Sequence, residues 1–172
     1  MVLVVADTSA LLSLATVVDH DPTPLDHLLH EHRVLIPEQV VSELRDTATF
    51  DDAAAAGAAA VLDRRDAFTI QAVELDAAFP LDDGENAAVT LANELAATQL
   101  LCDEFNRLAL IHASLAETRL LTTPTYLVAL VRTGALSAPD AEEILARLRD
   151  VRSWESNAYV RRAAATLRRE GP

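Results

Sequence analysis

The sequence predicts an α/β fold built on a mainly parallel sheet. Three observations predict it: short apolar runs rich in β-branched residues recur along the chain, helix-patterned segments alternate with them, and acidic residues stand where strands end or helices begin. At 172 residues and 51% hydrophobic, the chain can bury one core and falls short of two typical domains.

The first run, Val2 to Ala6, is apolar almost without a break, as a strand buried on both faces should be. Asp7-Thr8-Ser9 follows it, and Ala10 to Val18 reads as a helix. Pro22-Thr23-Pro24 interrupts the chain before a short helix, Leu25 to His30. Arg33 to Ile36 is strand-like, and Pro37 suits the first position of a helix reaching about Arg45. The alanine-dense stretch Asp51 to Arg65 favours helix, and Phe68 to Val73 alternates like a strand with Phe68, Ile70 and Ala72 on one face. Asp82-Asp83-Gly84 opens a helix from about Glu85 to Ala97. A strand over Gln99 to Cys102, a helix over Glu104 to Ser114 and a short strand over Arg119 to Leu121 come next. Helices over Thr125 to Arg132, ended by Gly134, and Pro139 to Asp150 complete the pattern.

Composition excludes several chemistries. All 14 basic residues are arginine, against 27 acidic ones, for a net charge of −13. Without lysine there is no Walker-type phosphate loop and no Schiff-base amine, and a haloacid dehalogenase-type phosphatase or a receiver domain would lack its lysine. No Gly-x-Ser-x-Gly elbow or Gly-x-Gly-x-x-Gly loop occurs, which removes serine hydrolase and dinucleotide-binding readings. The single cysteine, Cys102, rules out an internal disulfide framework and fits a reducing compartment. Every apolar run is broken by charge before it could span a bilayer, and no basic segment precedes the first one, so the expected location is the cytoplasm. An acidic, lysine-free surface reads as adaptation to high intracellular salt, where charge repulsion is screened over about 3 Å at 1 M, or as GC-rich coding bias. The histidines His20, His27, His30 and His32 stand near Asp19, Asp21 and Asp26; zinc binding and a polar surface helix both describe them.

Asp7, Glu43, Glu85 and Asp103 carry the functional argument. Each has a plain structural alternative. Asp7 and Asp103 could cap the helices that follow them. Glu43 could be a solvated residue beside the apolar face formed by Ile36, Val40, Val41 and Leu44. Glu85 could oppose a helix dipole, although it lines up with Val89 and Ala92 on the face that should be buried. Taken together they say more, because strand-to-helix junctions of a parallel sheet gather at its carboxyl edge. Two carboxylates about 5 Å apart repel by roughly 3 kcal/mol at an effective dielectric near 20. A divalent cation held by oxygen ligands is the ordinary remedy.

Four segments make the pattern specific: Asp-Thr-Ser-Ala-Leu at 7 to 11, Pro-Glu-Gln-Val-Val-Ser-Glu-Leu at 37 to 44, Gly-Glu-Asn-Ala-Ala-Val at 84 to 89 and Leu-Cys-Asp-Glu-Phe-Asn-Arg at 101 to 107. In this order they resemble a PIN domain over roughly residues 1 to 135. The resemblance implies a three-layer α/β/α sandwich and a nuclease that uses Mg²⁺ or Mn²⁺, usually on RNA. It makes Asp7 and Asp103 direct metal ligands, has Glu43 and Glu85 act through water or orient the nucleophile, and gives Ser9 an assisting hydroxyl. The last acid falls on Asp103 or Glu104, since Cys102-Asp103-Glu104 departs from the family's usual Thr-x-Asp or Asp-Asp. Toxin-like members are commonly blocked by a small antitoxin protein and often form homodimers, so both are partners to expect. The organisation expected is a PIN-like domain at 1–150 with a C-terminal Arg-rich helical extension at 151–172. That end of the chain carries Arg147, Arg149, Arg152, Arg161, Arg162, Arg168 and Arg169, suited to RNA phosphate, to an acidic partner or simply to a solvated helix end. The negative charge and the irregular last motif favour the alternative, a PIN-fold binding or regulatory module that does not cut.

Overall fold

In a computed structural model, which describes residues 1–171, five strands form one sheet: β1 (Leu3–Ala6), β2 (Arg33–Pro37), β3 (Thr69–Gln71), β4 (Gln99–Leu101) and β5 (Arg119–Leu121). Their order is β3-β2-β1-β4-β5 and every pairing is parallel. The connecting helices are α1 (Thr8–Ala15), α2 (Pro24–Glu31), α3 (Glu38–Thr47), α4 (Ala53–Leu62), α5 (Asp83–Glu94), α6 (Leu108–Ser114), α7 (Thr123–Arg132), α8 (Ala138–Val151) and α9 (Ala158–Glu170).

Strand alternation divides the core in two. Val4, Ala6, Val34, Ile36, Leu101 and Leu121 face the side covered by α1 to α4 and α7 to α9. Val5, Leu35 and Leu100 face the other way, against Ala88, Val89, Leu91 and Ala92 of α5 and Leu108 and Ile111 of α6. Helices therefore lie on both faces of the sheet, and the expected three-layer sandwich is borne out. No helix among the described residues is long and apolar enough to cross a membrane.

Several boundaries differ from those expected, each for a local reason. Pro37 closes β2 and caps α3 from outside, because its backbone is extended (φ −69°, ψ 156°). The helix expected from Glu104 is split: Phe105–Arg107 forms a 3-10 turn and regular helix starts only at Leu108. The strand expected over Phe68 to Val73 shrinks to three residues at the sheet edge, where a neighbour exists on one side only. Gly134 follows α7 with a φ of 76°, the left-handed conformation expected of a helix-ending glycine. The C-terminal α9 packs on α7 and α8 and sends Val160, Ala163 and Leu167 into the larger core.

Candidate active site

The sheet order places β1 at the centre, with β2 on one side and β4 on the other, so the chain reverses direction across the sheet at β1. Beyond the carboxyl ends of strands at such a switch point lies the usual ligand crevice of an open parallel sheet. The ladder continues into it: the Asp7 N–H donates to the Leu101 carbonyl at 3.0 Å, and the Cys102 N–H to the Leu121 carbonyl at 2.9 Å. Asp7 and Asp103 are therefore fixed by the sheet itself.

A cavity of about 370 Å³ opens here, lined by Asp7, Ser9, Glu43, Glu85, Glu104 and Arg152, with Asp46 and Asp82 at its wall. A second cavity, about 560 Å³, adjoins it; Glu104 and Arg152 belong to both, and Asp103 lines the second. The structure thus brings Asp7, Ser9, Glu43, Glu85 and Glu104 around one space and sets Asp103 directly behind it. The tie is Ser9, whose hydroxyl accepts the Asp103 N–H at 2.9 Å and lies 2.8 and 2.9 Å from the two Asp7 carboxylate oxygens.

The structural alternatives considered for the acids are partly realised alongside this convergence. Asp7 does cap α1, Oδ1 accepting the Ala10 N–H at 3.0 Å, while Oδ2 takes the Cys102 thiol at 3.0 Å. Glu85 does belong to a capping box with Asp82, and its Oε2 pairs with Arg107 Nε at 3.1 Å. Glu43 accepts the Thr8 hydroxyl. Asp103 Oδ1 accepts the Thr123 N–H at 2.7 Å, from the first turn of α7.

All five carboxyls are shifted toward the protonated form. Burial pushes Asp7 up to about 7, with repulsion from Asp103 adding to it and hydrogen bonds from Cys102, Ala10 and Ser9 opposing. Burial likewise raises Asp103, opposed by the Thr123 amide bond and by the nearby Thr123 and Ser13 hydroxyls. It raises Glu43, with Asp82, Glu104 and Asp83 adding repulsion, and it raises Glu85 and Glu104, with Asp82 the leading repulsive neighbour of both. The Cys102 thiol is pushed up by burial and by Asp7, so it stays a neutral donor. A pocket of acids in this state accumulates negative charge only at a cost, and oxygen donors of this kind suit a hard divalent cation.

Two further features fit a cation. Asp103 Oδ2 and Thr123 Oγ1 are buried without a hydrogen-bond partner, although Asp103 and Thr123 are already joined through the Thr123 amide. Gly84 gives the Glu43 carboxylate its place: a Cβ there would lie 2.7 Å from Glu43 Cδ and 2.8 Å from Oε2, closer than atoms tolerate. A family model described as "DUF3368: PIN domain" matches residues 3–169. The chain belongs to the PIN-domain family. No curated protein and no solved structure gives a significant match. PIN domains are generally nucleases that bind divalent metals, and this PIN domain gathers several carboxylates around one cavity.

Sequence reading missed five participants in this PIN domain, Thr8, Gly84, Cys102, Arg107 and Thr123, and named Arg152 only as one of the C-terminal arginines. Thr8, Gly84, Cys102 and Arg107 lie inside the quoted motifs, but nothing in a motif tells which neighbour a side chain will meet. Thr123 has no sequence signal, and the arginine cluster gave no place for Arg152, since only the docking of α7 and α8 brings them near. The histidines do not gather. Among the described residues the one set of three ligand atoms lying within 4.8 Å of one another is that of His20, Asp140 and Glu143; the acids around the cavity are spaced more widely. It sits beyond the far end of α1 and at the start of α8, away from the acids.

Proposed function

We propose that this chain is a divalent-metal-dependent endoribonuclease that hydrolyses RNA phosphodiester bonds, in the manner of a toxin of a toxin–antitoxin pair. The observation that carries the reading is the gathering of Asp7, Glu43, Glu85 and Glu104 around one cavity, backed by Asp103 with a buried, partnerless oxygen.

Asp7 and Asp103 would hold Mg²⁺ or Mn²⁺ directly, with Glu43, Glu85 and Glu104 acting through water or on the nucleophile. When bound, such an ion makes water more acidic and neutralises charge on the phosphoryl oxygens. The protein's own contribution is positioning. Ser9 accepts from the Asp103 amide, so its single proton is directed at Asp7, and the two aspartates are held in one arrangement. Thr8 and Gly84 together confine the Glu43 carboxylate. Arg107 balances Glu85, and the Arg152 side chain at the boundary of both cavities is the cation placed to meet a phosphate.

A second reading, a PIN-fold binding module that does not cut, is favoured by how fully protein donors already occupy Asp7 and Glu85. Mn²⁺ titration and cleavage of single-stranded RNA at high salt separate the two. The nuclease reading expects Mn²⁺ binding, and cleavage that is lost on chelation and in Asp7→Asn and Asp103→Asn proteins that still fold. Undiminished cleavage by purified Asp7→Asn would sink it; Mn²⁺ binding with no cleavage would favour the binding module. A small antitoxin would be sought as a neighbouring reading frame encoding a DNA-binding protein, and as relief of growth arrest on co-expression.

A further inference from the structure

The second cavity has a chemistry of its own that metal binding does not explain. Its walls come from the segment after β4, residues 103 to 106, from the turn between α8 and α9, and from the first two residues of α9, Ala158 and Tyr159. Three of the chain's seven aromatic side chains meet there, which is notable where aromatics form 4% of the sequence. Trp154 stands edge-on to Phe105 with ring centroids 4.9 Å apart, and Tyr159 stacks on Phe105 at 5.7 Å with 28° between the planes. Trp154 is buried, yet Tyr159 keeps 45% of its surface exposed. Phe105 and Trp154 therefore act as a rigid backing for an aromatic ring left open to solvent.

Polar groups surround that ring. Asn157 uses Oδ1 to cap α9, accepting from the Tyr159 and Val160 amides, which leaves its side-chain NH₂ to donate elsewhere. Ser153 holds a φ of 55°, a conformation that side chains other than glycine rarely adopt, in the turn that forms the wall. Arg152 lies 5.8 Å over the Trp154 ring and reaches the boundary with the acidic cavity. An open aromatic face with hydrogen-bonding groups and a cation beside it suits an unpaired nucleobase and its phosphate. The volume, about 560 Å³, is within the ordinary range for small-ligand sites.

We propose that this cavity receives a base of single-stranded RNA flanking the scissile phosphate, stacked against Tyr159, with Arg152 taking a phosphate oxygen between the base and the carboxylates. The substrate class rests on the nuclease reading; the base site itself is a matter of binding. Selection for unpaired RNA follows, since a base held in a duplex cannot enter.

Trp154 is the only tryptophan, so its emission, excited selectively over the tyrosines, reports on this cavity. The full-length protein, in Ca²⁺ and high salt, is titrated with a four-nucleotide single-stranded RNA and with an abasic oligomer of the same charge. The expected result is saturable quenching by the RNA and at least about tenfold weaker binding of the abasic chain. Tyr159→Leu should lose about tenfold in RNA affinity while Tyr159→Phe retains it, the scale of one base stacked on an aromatic ring. Mn²⁺ affinity should be the same in both variants. Quenching that depends on the base, without cleavage in any metal, removes the nuclease reading and leaves the base site standing. Cleavage with equal affinity for both oligomers removes the base site and leaves the nuclease. No quenching by RNA, or quenching by an antitoxin peptide alone, overturns the proposal.

Discussion

Replacing Gly84 by alanine would separate the site from the stability of the fold. Gly84 lies in the first turn of α5, where an added Cβ would come within 2.7 Å of Glu43 Cδ and 2.8 Å of Oε2. Ordinary contact begins near 3.4 Å, so the carboxylate must move by roughly 1 Å or turn away from Thr8. That movement is easy for the fold, because the obstacle is the end of a flexible side chain rather than backbone. The substitution itself favours helix by about 0.5–1 kcal/mol and removes freedom from the unfolded chain. Thermal unfolding should therefore be unchanged or shifted upward by roughly 1–4 °C. The chemistry should suffer far more, since misplacing a catalytic group by about 1 Å costs on the order of 100-fold. The assay is kcat/KM for Mn²⁺-dependent cleavage of single-stranded RNA alongside calorimetric unfolding of the same preparation. A Gly84→Ala protein with wild-type kinetics would refute the claim that this glycine positions Glu43 for function.

Other consequences follow from the same groups. Asp7 has a folded pKa of about 7 against 3.8 for the unconstrained group, so the folded state holds that proton longer than the unfolded state. Folding is unpenalised below about pH 4 and loses up to about 4 kcal/mol as pH rises through 7. Metal-free protein should have a higher urea midpoint at pH 5 than at pH 8, Mn²⁺ should restore stability at pH 8, and Asp7→Asn should flatten the profile; a metal-free midpoint that rises with pH contradicts this. Arg107→Ala leaves Glu85 without its ion-pair partner and should destabilise by about 1–2 kcal/mol at pH 8. The deficit should shrink at pH 5, because Glu85 is already disposed to protonate; denaturant titration at both values reads it. Comparing Asp103→Asn with Glu104→Gln assigns the last acid. Loss of Mn²⁺ affinity by isothermal titration should be greater in Asp103→Asn, since Asp103 Oδ2 is buried without a well-formed hydrogen bond, and the reverse order would give the role to Glu104.

The fold was legible because its signals are local and repeated. Each buried strand announced itself as an apolar run, and Asp7 and Asp103 could be placed because they immediately follow β1 and β4. The break in the helix after Glu104 was not legible, since Phe105 is apolar and helix-compatible yet turns away to pack against Trp154 and Tyr159, far along the chain. The gathering of Glu43 and Glu85 was foreseeable only through the order of motifs. The seat of the Glu43 carboxylate beside α5 depends on Gly84 having no side chain, a negative feature that no periodicity reveals. Arg152 was counted among the terminal arginines and given a choice of surface roles. Its place beside Glu104 follows from the length of α8 and the direction in which that helix crosses the domain, neither of which a charge count contains.

Why buried acids persist at such a cost is answered by the architecture around them. A parallel sheet puts the ends of β1 and β4 side by side whatever residues stand there, and backbone hydrogen bonds from Asp7 to Leu101 and from Cys102 to Leu121 hold them without help from side chains. The rigid scaffold can therefore carry groups that disfavour folding above pH 4, provided the core offsets them. The donors around Asp7 do not cancel that cost, because Cys102 and Ser9 are neutral and its carboxyl still rises to about 7. Had the site served only to cap α1, one oxygen and the Ala10 amide would have sufficed, and a solvent-exposed aspartate would have done so without burial. The structure instead buries Asp7, raises all five carboxyls and leaves Asp103 Oδ2 without a partner. Those three features are unfavourable as structure and favourable as a cation site, and a bound ion would turn the same repulsion into affinity.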